Sequence, residues 1–158
     1  MALTQVPGTM MAAATVAQSN IATNVAGNGP AFRAYISAAQ SIPATTFTKI
    51  QFQTKIFDTN TNYSTSTYRF TPTVAGYYQV NVTLYETLSG PGQLAVYKNG
   101  SVDQYGSYLT ATGVAVTDLV YCNGSTDYLE AYYYGAALTT SQFGAGASQF
   151  SASMVRAA

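Results

Sequence analysis

From Ala31 onward, apolar side chains recur at every second position, the period of a strand that buries one face. In YYQVNVTLYE, residues 77–86, Tyr78, Val80, Val82 and Leu84 alternate with Gln79, Asn81, Thr83 and Tyr85. The same pattern in TFTKIQFQTKIF, residues 46–57, predicts one strand with Ile50, Phe52 and Ile56 on its buried face and Lys49, Gln51, Gln53 and Lys55 on the other. FRAYIS at 32–37 opens the series, and QLAVYKNGSVDQY, GVAVTDLVY, DYLEAYYYG and QFSASMVRA supply the later strands, with Phe150 pointing inward in the last. Turn signals separate these runs at the spacing of an all-β sandwich. Asn99-Gly100 is the strongest of them, because a two-residue hairpin turn needs φ above zero at both positions. No internal repeat or heptad pattern interrupts the series.

The stretch YRFTPTVAGYY, residues 68–78, reads as a corner between two strands. Pro72 cannot donate to a ladder and stops the first strand; Gly76 allows a backbone conformation closed to other residues. The Tyr pair then restarts the chain with Tyr78 in the core, followed inward by Val80, and with Tyr77 facing out; Phe70 belongs to the core on the near side. In DYLEAYYYG the alternation puts Leu129, Ala131 and Tyr133 inside and Tyr128, Glu130, Tyr132 and Tyr134 outside. A row of outward tyrosines is an apolar patch with hydroxyl tips that a monomer rarely leaves bare. A subunit interface, a carbohydrate platform and plain strand propensity each account for such a row. The interface reading, preferred, takes Tyr77, Tyr128, Glu130, Tyr132 and Tyr134 as its residues.

Residues 1–29 are of another kind. They contain no Lys, Arg, Asp or Glu and end in the breaker run AGNGP at 26–30. They read as an arm and linker preceding a domain over 30–158. Ala propensity favours a short helix within 10–25, but a segment with so few large apolar groups needs a surface to dock on.

Composition narrows the chemistry. Charged residues are 8% of the chain, and six basic side chains cancel six acidic ones. Scattered single Lys and Arg residues make a poor nucleic-acid or acidic-membrane partner, and zero net charge removes a barrier to self-association. There is no histidine, and Cys122 is the sole cysteine, so His-based triads, His metal sites and an intrachain disulfide are excluded. The N-terminal residues lack the basic and apolar regions of a secretory signal, which points to folding in a reducing cytoplasm. Asp58, Asn60 and Asn62 fall at the first ligand positions of a calcium loop, yet Tyr63 and Arg69 stand where Gly and an acid are required; a polar connecting loop is the better reading. Asp127 sits beside the turn CNGST, where Asp caps backbone groups, and Cys122 has no base to activate it. An enzyme is not expected.

Phe70, Pro72, Gly76, Tyr77 and Tyr78, then KNG at 98–100, NGSTDYLEAYYY at 123–134 and QFSASMV at 149–155, follow one another in the order found in the globular heads of the complement component q and tumour-necrosis-factor superfamily, which the chain resembles over residues 31–158. Ala152 stands where that family usually has Gly. The resemblance implies a jelly roll of about ten antiparallel strands, assembled as a trimer about a threefold axis, with calcium as the one cofactor it keeps open. No collagen-like Gly-X-Y stalk is present, and the charge-poor chain with a short arm is similar to bacteriophage virion proteins that carry this head. The expectation is a trimeric virion structural protein on the particle surface. It would be a capsid decoration protein docked through its arm on other virion proteins or, alternatively, a tail-fibre or spike tip that presents loops near 58–67, 86–93 and 135–148 to a host glycan or protein. A secreted binding module is the third reading and would need a signal segment.

Overall fold

The computed structural model describes residues 25 and 27–158, and the statements below concern these. Of the arm and linker at 1–29, all but residues 25 and 27–29 lie outside them, as do all but one residue of the helix expected within 10–25.

The chain contributes its strands to two packed sheets and a small ribbon, with every pairing antiparallel. Sheet I is ordered β10-β7-β13-β1-β4, with β1 at Ala31–Tyr35, β4 at Thr54–Asp58, β7 at Ala75–Thr87, β10 at Thr112–Asn123 and β13 at Gln149–Ala157. Sheet II is ordered β5-β6-β11-β8-β9, with β5 at Tyr63–Ser64, β6 at Arg69–Phe70, β8 at Gly92–Lys98, β9 at Ser101–Tyr105 and β11 at Leu129–Gly135. β3, Thr48–Lys49, pairs with β11 on the edge that β6 also uses, and β2, Ser41–Ile42, pairs with β12, Leu138–Thr139. Neighbours distant in sequence, such as β1 beside β13 and β7 between β10 and β13, make this a jelly-roll sandwich.

The inward rows meet in one core. Tyr78, Val80, Val82 and Leu84 from β7 face Leu94 and Val96 from β8 and Leu129, Ala131 and Tyr133 from β11, all fully buried or nearly so. At one end the core is a cluster of rings. Phe32 on β1 stacks on Tyr63 at 4.6 Å and on Phe70 at 4.5 Å, both from sheet II, and meets Phe150 of its own sheet edge-on at 4.9 Å. Such packing adds about 1 kcal/mol per pair to the area buried.

Residues 46–57 depart from the single strand that their alternation suggests. The segment starts in sheet II as β3, leaves the ladder with Ile50 and Phe52 in the core, and ends in sheet I as β4. β4 is the outermost strand of its sheet and bulges at Ile56, which has no partner between the Arg33–Phe57 and Ala34–Lys55 pairs, so the alternation breaks and Ile56 and Phe57 are both exposed, 42% and 45%. A period of two carries burial information only while a strand stays in one sheet.

The corner at 68–78 makes a second crossing in the same direction. β6 ends at Phe70, buried Pro72 breaks the ladder, and β7 begins at Ala75 in the other sheet. Asn62 holds the passage: its carbonyl accepts the Thr71 N–H at 2.8 Å and its side-chain oxygen the Thr73 N–H at 3.2 Å. The Tyr78 hydroxyl donates back to the Val74 carbonyl at 2.7 Å, and the Tyr78 ring meets Phe70 at 5.6 Å. Gly76 serves a different purpose from the one its sequence context suggests. It is not among the positive-φ residues; instead a Cβ there would lie 2.4 Å from the Arg156 carbonyl, opposite a bulge in β13. Close approach of two backbones, not unusual torsion, demands the glycine. Asn99 and Gly100 do take φ values of +53° and +81°, as a primed hairpin turn between β8 and β9 requires.

Gly76→Ala is therefore expected to destabilise the fold by about 1–3 kcal/mol, because the obstacle is backbone and cannot rotate away. Gly100→Ala, strained in torsion but nearly free of contacts, should cost about 1 kcal/mol. Thermal unfolding of the two variants checks the order.

Candidate functional site

The sandwich presents two outward faces of different chemistry. On sheet I the outward rows of β7 and β10 read Tyr77, Gln79, Asn81, Thr83, Tyr85 and Ala115, Thr117, Leu119, Tyr121, with no charged side chain in either. Tyr77 is 42% exposed, Leu119 58%, Tyr121 41% and, on neighbouring β13, Val155 45%. Tyr77 and Tyr121 pair across the strands with ring centroids 5.5 Å apart. A hollow of about 590 Å³ opens at one end, lined by Tyr77, Leu119 and residues 155–158. Another of about 460 Å³ opens toward the other end, beside Tyr85, Gly113 and Gln149. Uncharged amides and hydroxyls between apolar groups need little desolvation to be covered.

Sheet II carries rings around an ionic centre. Outward on β11, Glu130 is 1% exposed in its side chain. Its Oε1 accepts from Lys49 Nζ of β3 at 3.0 Å and from Arg69 Nε of β6 at 2.8 Å. These two short strands share one edge of β11, and the carboxylate fastens both to it. Arg69 also lies over the Tyr128 ring, 4.0 Å from its centroid, and its hydrogen bond to Glu130 raises the guanidinium pKa further. Around this centre Tyr97 of β8 stacks on Tyr132 at 4.0 Å, and Phe47 touches Tyr97, Tyr105 and Tyr134 at 5.8, 5.8 and 4.8 Å. Burial, then the Glu130 charge, raises the Tyr132 hydroxyl pKa, so it stays a neutral donor.

The five residues expected at one interface are thus divided. Tyr77 lies on sheet I, whereas Tyr128, Glu130, Tyr132 and Tyr134 lie on sheet II across the core. Glu130 is not available as a surface contact at all, because Lys49 and Arg69 cover it. Alternation tells which residues leave a sheet outward but not which sheet a strand joins, and that separated the set. Phe47, Tyr97, Tyr105, Leu119, Tyr121 and Val155 were not singled out from the sequence; for Tyr97, Leu119 and Tyr121 outward parity in QLAVYK and GVAVTDLVY was the only signal.

The remaining polar candidates act locally. Asp58 accepts the N–H groups of Asn62 and Tyr63 at 2.9 and 3.0 Å and pairs with Lys55, so it shapes the loop once compared with a calcium site. Among the described residues no group of three His, Cys, Asp or Glu side chains comes together to hold a metal. Asp127 accepts from Asn99, Lys98 and the Asn123 N–H, joining two turns, and the Asn99 bond leads in holding its pKa below the usual carboxylate range. Glu86 accepts from the backbone of Ser141 and Gln142 at 2.6 and 2.8 Å and anchors that loop. Burial pushes the Cys122 thiol up to about 12, leaving no thiolate at neutral pH. Asp118 is exceptional. It sits on the inward row of β10, its Oδ2 is buried with no partner, and burial together with Asp103 on β9 raises its pKa to about 6.

No protein-family model matches the chain, and no curated protein does. Solved structures do match. The globular domain of a zebrafish complement 1qA protein superposes with a TM-score of 0.55 at 13% identity, covering 82% of this chain and 99% of that one. Eiger, a TNF from S. frugiperda, gives a TM-score of 0.60 at 9% identity over 82% and 92%. The PRD1 vertex protein P5 gives 0.55 at 16% identity over 80% and 97%.

Asp118 yields a checkable pH response, and Glu130 a checkable cost in stability. Because the folded state holds the Asp118 proton more tightly than the unfolded chain, whose Asp titrates near ~3.9, stability falls as pH rises from that value toward about 6. Asp118→Asn should therefore be more stable than the parent at pH ~7 and indistinguishable below pH ~4, by thermal melts across pH. Glu130→Gln, which leaves two cations facing a neutral amide, should cost about 3 kcal/mol. With those features in place, the described residues share the jelly-roll fold of complement 1q heads, TNF proteins and a phage vertex protein.

Proposed function

We propose that the protein is a non-enzymatic structural component of a bacteriophage particle, trimeric through the outward face of sheet I and docked on the shell by its N-terminal residues. The observation that carries this reading is the pair of outward rows on β7 and β10, which hold no charged side chain, with Val155 of β13 beside them; Tyr77, Leu119, Tyr121 and Val155 are each at least 41% exposed, and Arg156 stands at one end. Contiguous apolar surface of this kind marks an interaction site, and the absence of charge lets identical copies meet without repulsion. A closed threefold contact between heads also agrees with the assembly that the superfamily resemblance implies. The described chain emerges beside the same face: the Pro30 carbonyl accepts the Met154 N–H at 3.0 Å, one residue from Val155. A tether leaving there can reach a surface beneath the trimer.

Similarity in fold to a phage vertex protein supports placement on a virion, and capsid decoration is the preferred role. The ring-lined outer face of sheet II favours a second reading, a receptor-binding tip that meets a host glycan or protein. Copy number separates the two: many copies spread over the shell for decoration, a small set at vertices or a tail tip for receptor binding.

In sedimentation at micromolar protein, the trimer is the expected species. Leu119→Asp, which would bury an unpaired carboxylate at the contact, should weaken association by about 3 kcal/mol, roughly two decades in Kd. Tyr105→Ser on the opposite face should leave it unchanged. A parent chain that sediments as a monomer contradicts the reading.

A further inference from the structure

The outward face of sheet II has the chemistry of a saccharide site. Its apolar groups, apart from Val102 opposite Tyr97 and the covered Ala95, are all rings: Phe47, Tyr97, Tyr105, Tyr108, Tyr132 and Tyr134. The rings exposed on sheet I, by contrast, are accompanied by the aliphatic groups Leu119 and Val155. Here rings stand almost alone, five of the six with a hydroxyl at the tip, and the exposed ones, Tyr105 and Tyr108, offer flat apolar surface on which the C–H groups of a pyranose can lie.

The rings are also held in place. Tyr97 and Tyr132 are nearly parallel at 25° and 4.0 Å, while Tyr134 is flanked by Phe47 at 4.8 Å and Tyr108 at 6.3 Å. Little rotamer entropy remains to be lost on binding. At the rim, Tyr105 and Tyr108 are 51% and 56% exposed, so the platform continues past the edge of the sheet into solvent.

Charge decides which saccharide. Lys49 and Arg69 share the single carboxylate of Glu130, and both cations keep exposed surface, 28% and 39% of their side chains. The Lys98 and Asp127 pair at the end of the face is internally balanced. Asp103 of β9 is turned to Asp118 of β10, so one positive charge is left uncompensated beside the rings, with unused guanidinium and ammonium protons. The second Glu130 oxygen meets the Tyr132 hydroxyl at 3.5 Å and, like the rest of that covered carboxylate, stays beneath the face.

We infer that the outer face of sheet II, from Lys49 and Arg69 across Tyr132 and Tyr97 to Tyr105 and Tyr108, binds an acidic saccharide, its rings stacking the sugar and its excess cation meeting the acid group. This goes beyond the trimeric reading and does not rest on it, since the two faces are on opposite sides of the sandwich.

The test is a titration of the purified full chain with tetragalacturonate, followed through tyrosine ring resonances, beside its methyl ester, which has the same backbone and no charge. The expected result is saturable shifts of Tyr97, Tyr105, Tyr108, Tyr132 and Tyr134, with the ester several-fold weaker. The double variant Tyr105→Ser/Tyr108→Ser, changed only at exposed rim positions, should lose roughly tenfold in affinity. Equal binding of acid and ester overturns the inference, as do shifts confined to Tyr77 and Tyr121 or no shift at the solubility limit. A double variant that no longer enters particles yet titrates like the parent marks the face as a protein interface and overturns it too. Sedimentation of the same samples reads the oligomer separately, so loss of one property is not mistaken for loss of the other.

Discussion

The ring cluster around Phe32 is the contact on which the rest of the sandwich depends. Phe32 belongs to sheet I, yet its closest ring partners, Tyr63 and Phe70, come from two strands of sheet II that are only two residues long. Strands of two residues cannot hold their register by ladder hydrogen bonds alone; buried rings supply what the ladder lacks. Tyr63 adds a hydroxyl bond to the Phe52 carbonyl at 3.0 Å, which fixes the segment that crosses between sheets. Phe70 then passes the constraint through Tyr78 to the long β7 strand.

Once the two sheets are joined there, their outer faces are free to differ, and they do. Sheet I contains the longest strands, and the outer rows of β7 and β10 carry no charge, which suits contact with identical copies. Sheet II is fastened from outside by Glu130 and its two cations, and its rings lean on each other. The ionic centre does structural work there because it joins β3 and β6 to the same edge of β11; an isolated surface pair would contribute far less.

Much of this organisation was legible in the sequence, and the exceptions have physical causes. The alternation in β7 and β11 assigned Tyr78, Val80, Leu129 and Tyr133 to the core, because an antiparallel strand that stays in one sheet has one buried face. Asn99-Gly100 marked its hairpin because few other pairs tolerate that backbone. Residues 46–57 misled because the chain changes sheets within the run. The outward tyrosines misled because parity does not record which sheet a strand joins, so Tyr77 and Tyr132 read as neighbours while lying on opposite sides. Glu130 reads as exposed from parity alone; only the third dimension brings Lys49 and Arg69, 81 and 61 residues away, to cover it.

The central claim is that the outer face of sheet I is covered by other copies of the chain while that of sheet II remains open. Oxidative footprinting of the tyrosines in the assembled protein reads both at once. Slow modification of Tyr77, Tyr85 and Tyr121, with rapid modification of Tyr105 and Tyr108, is the predicted outcome. The inverse pattern, or equal rates on both faces, would contradict it.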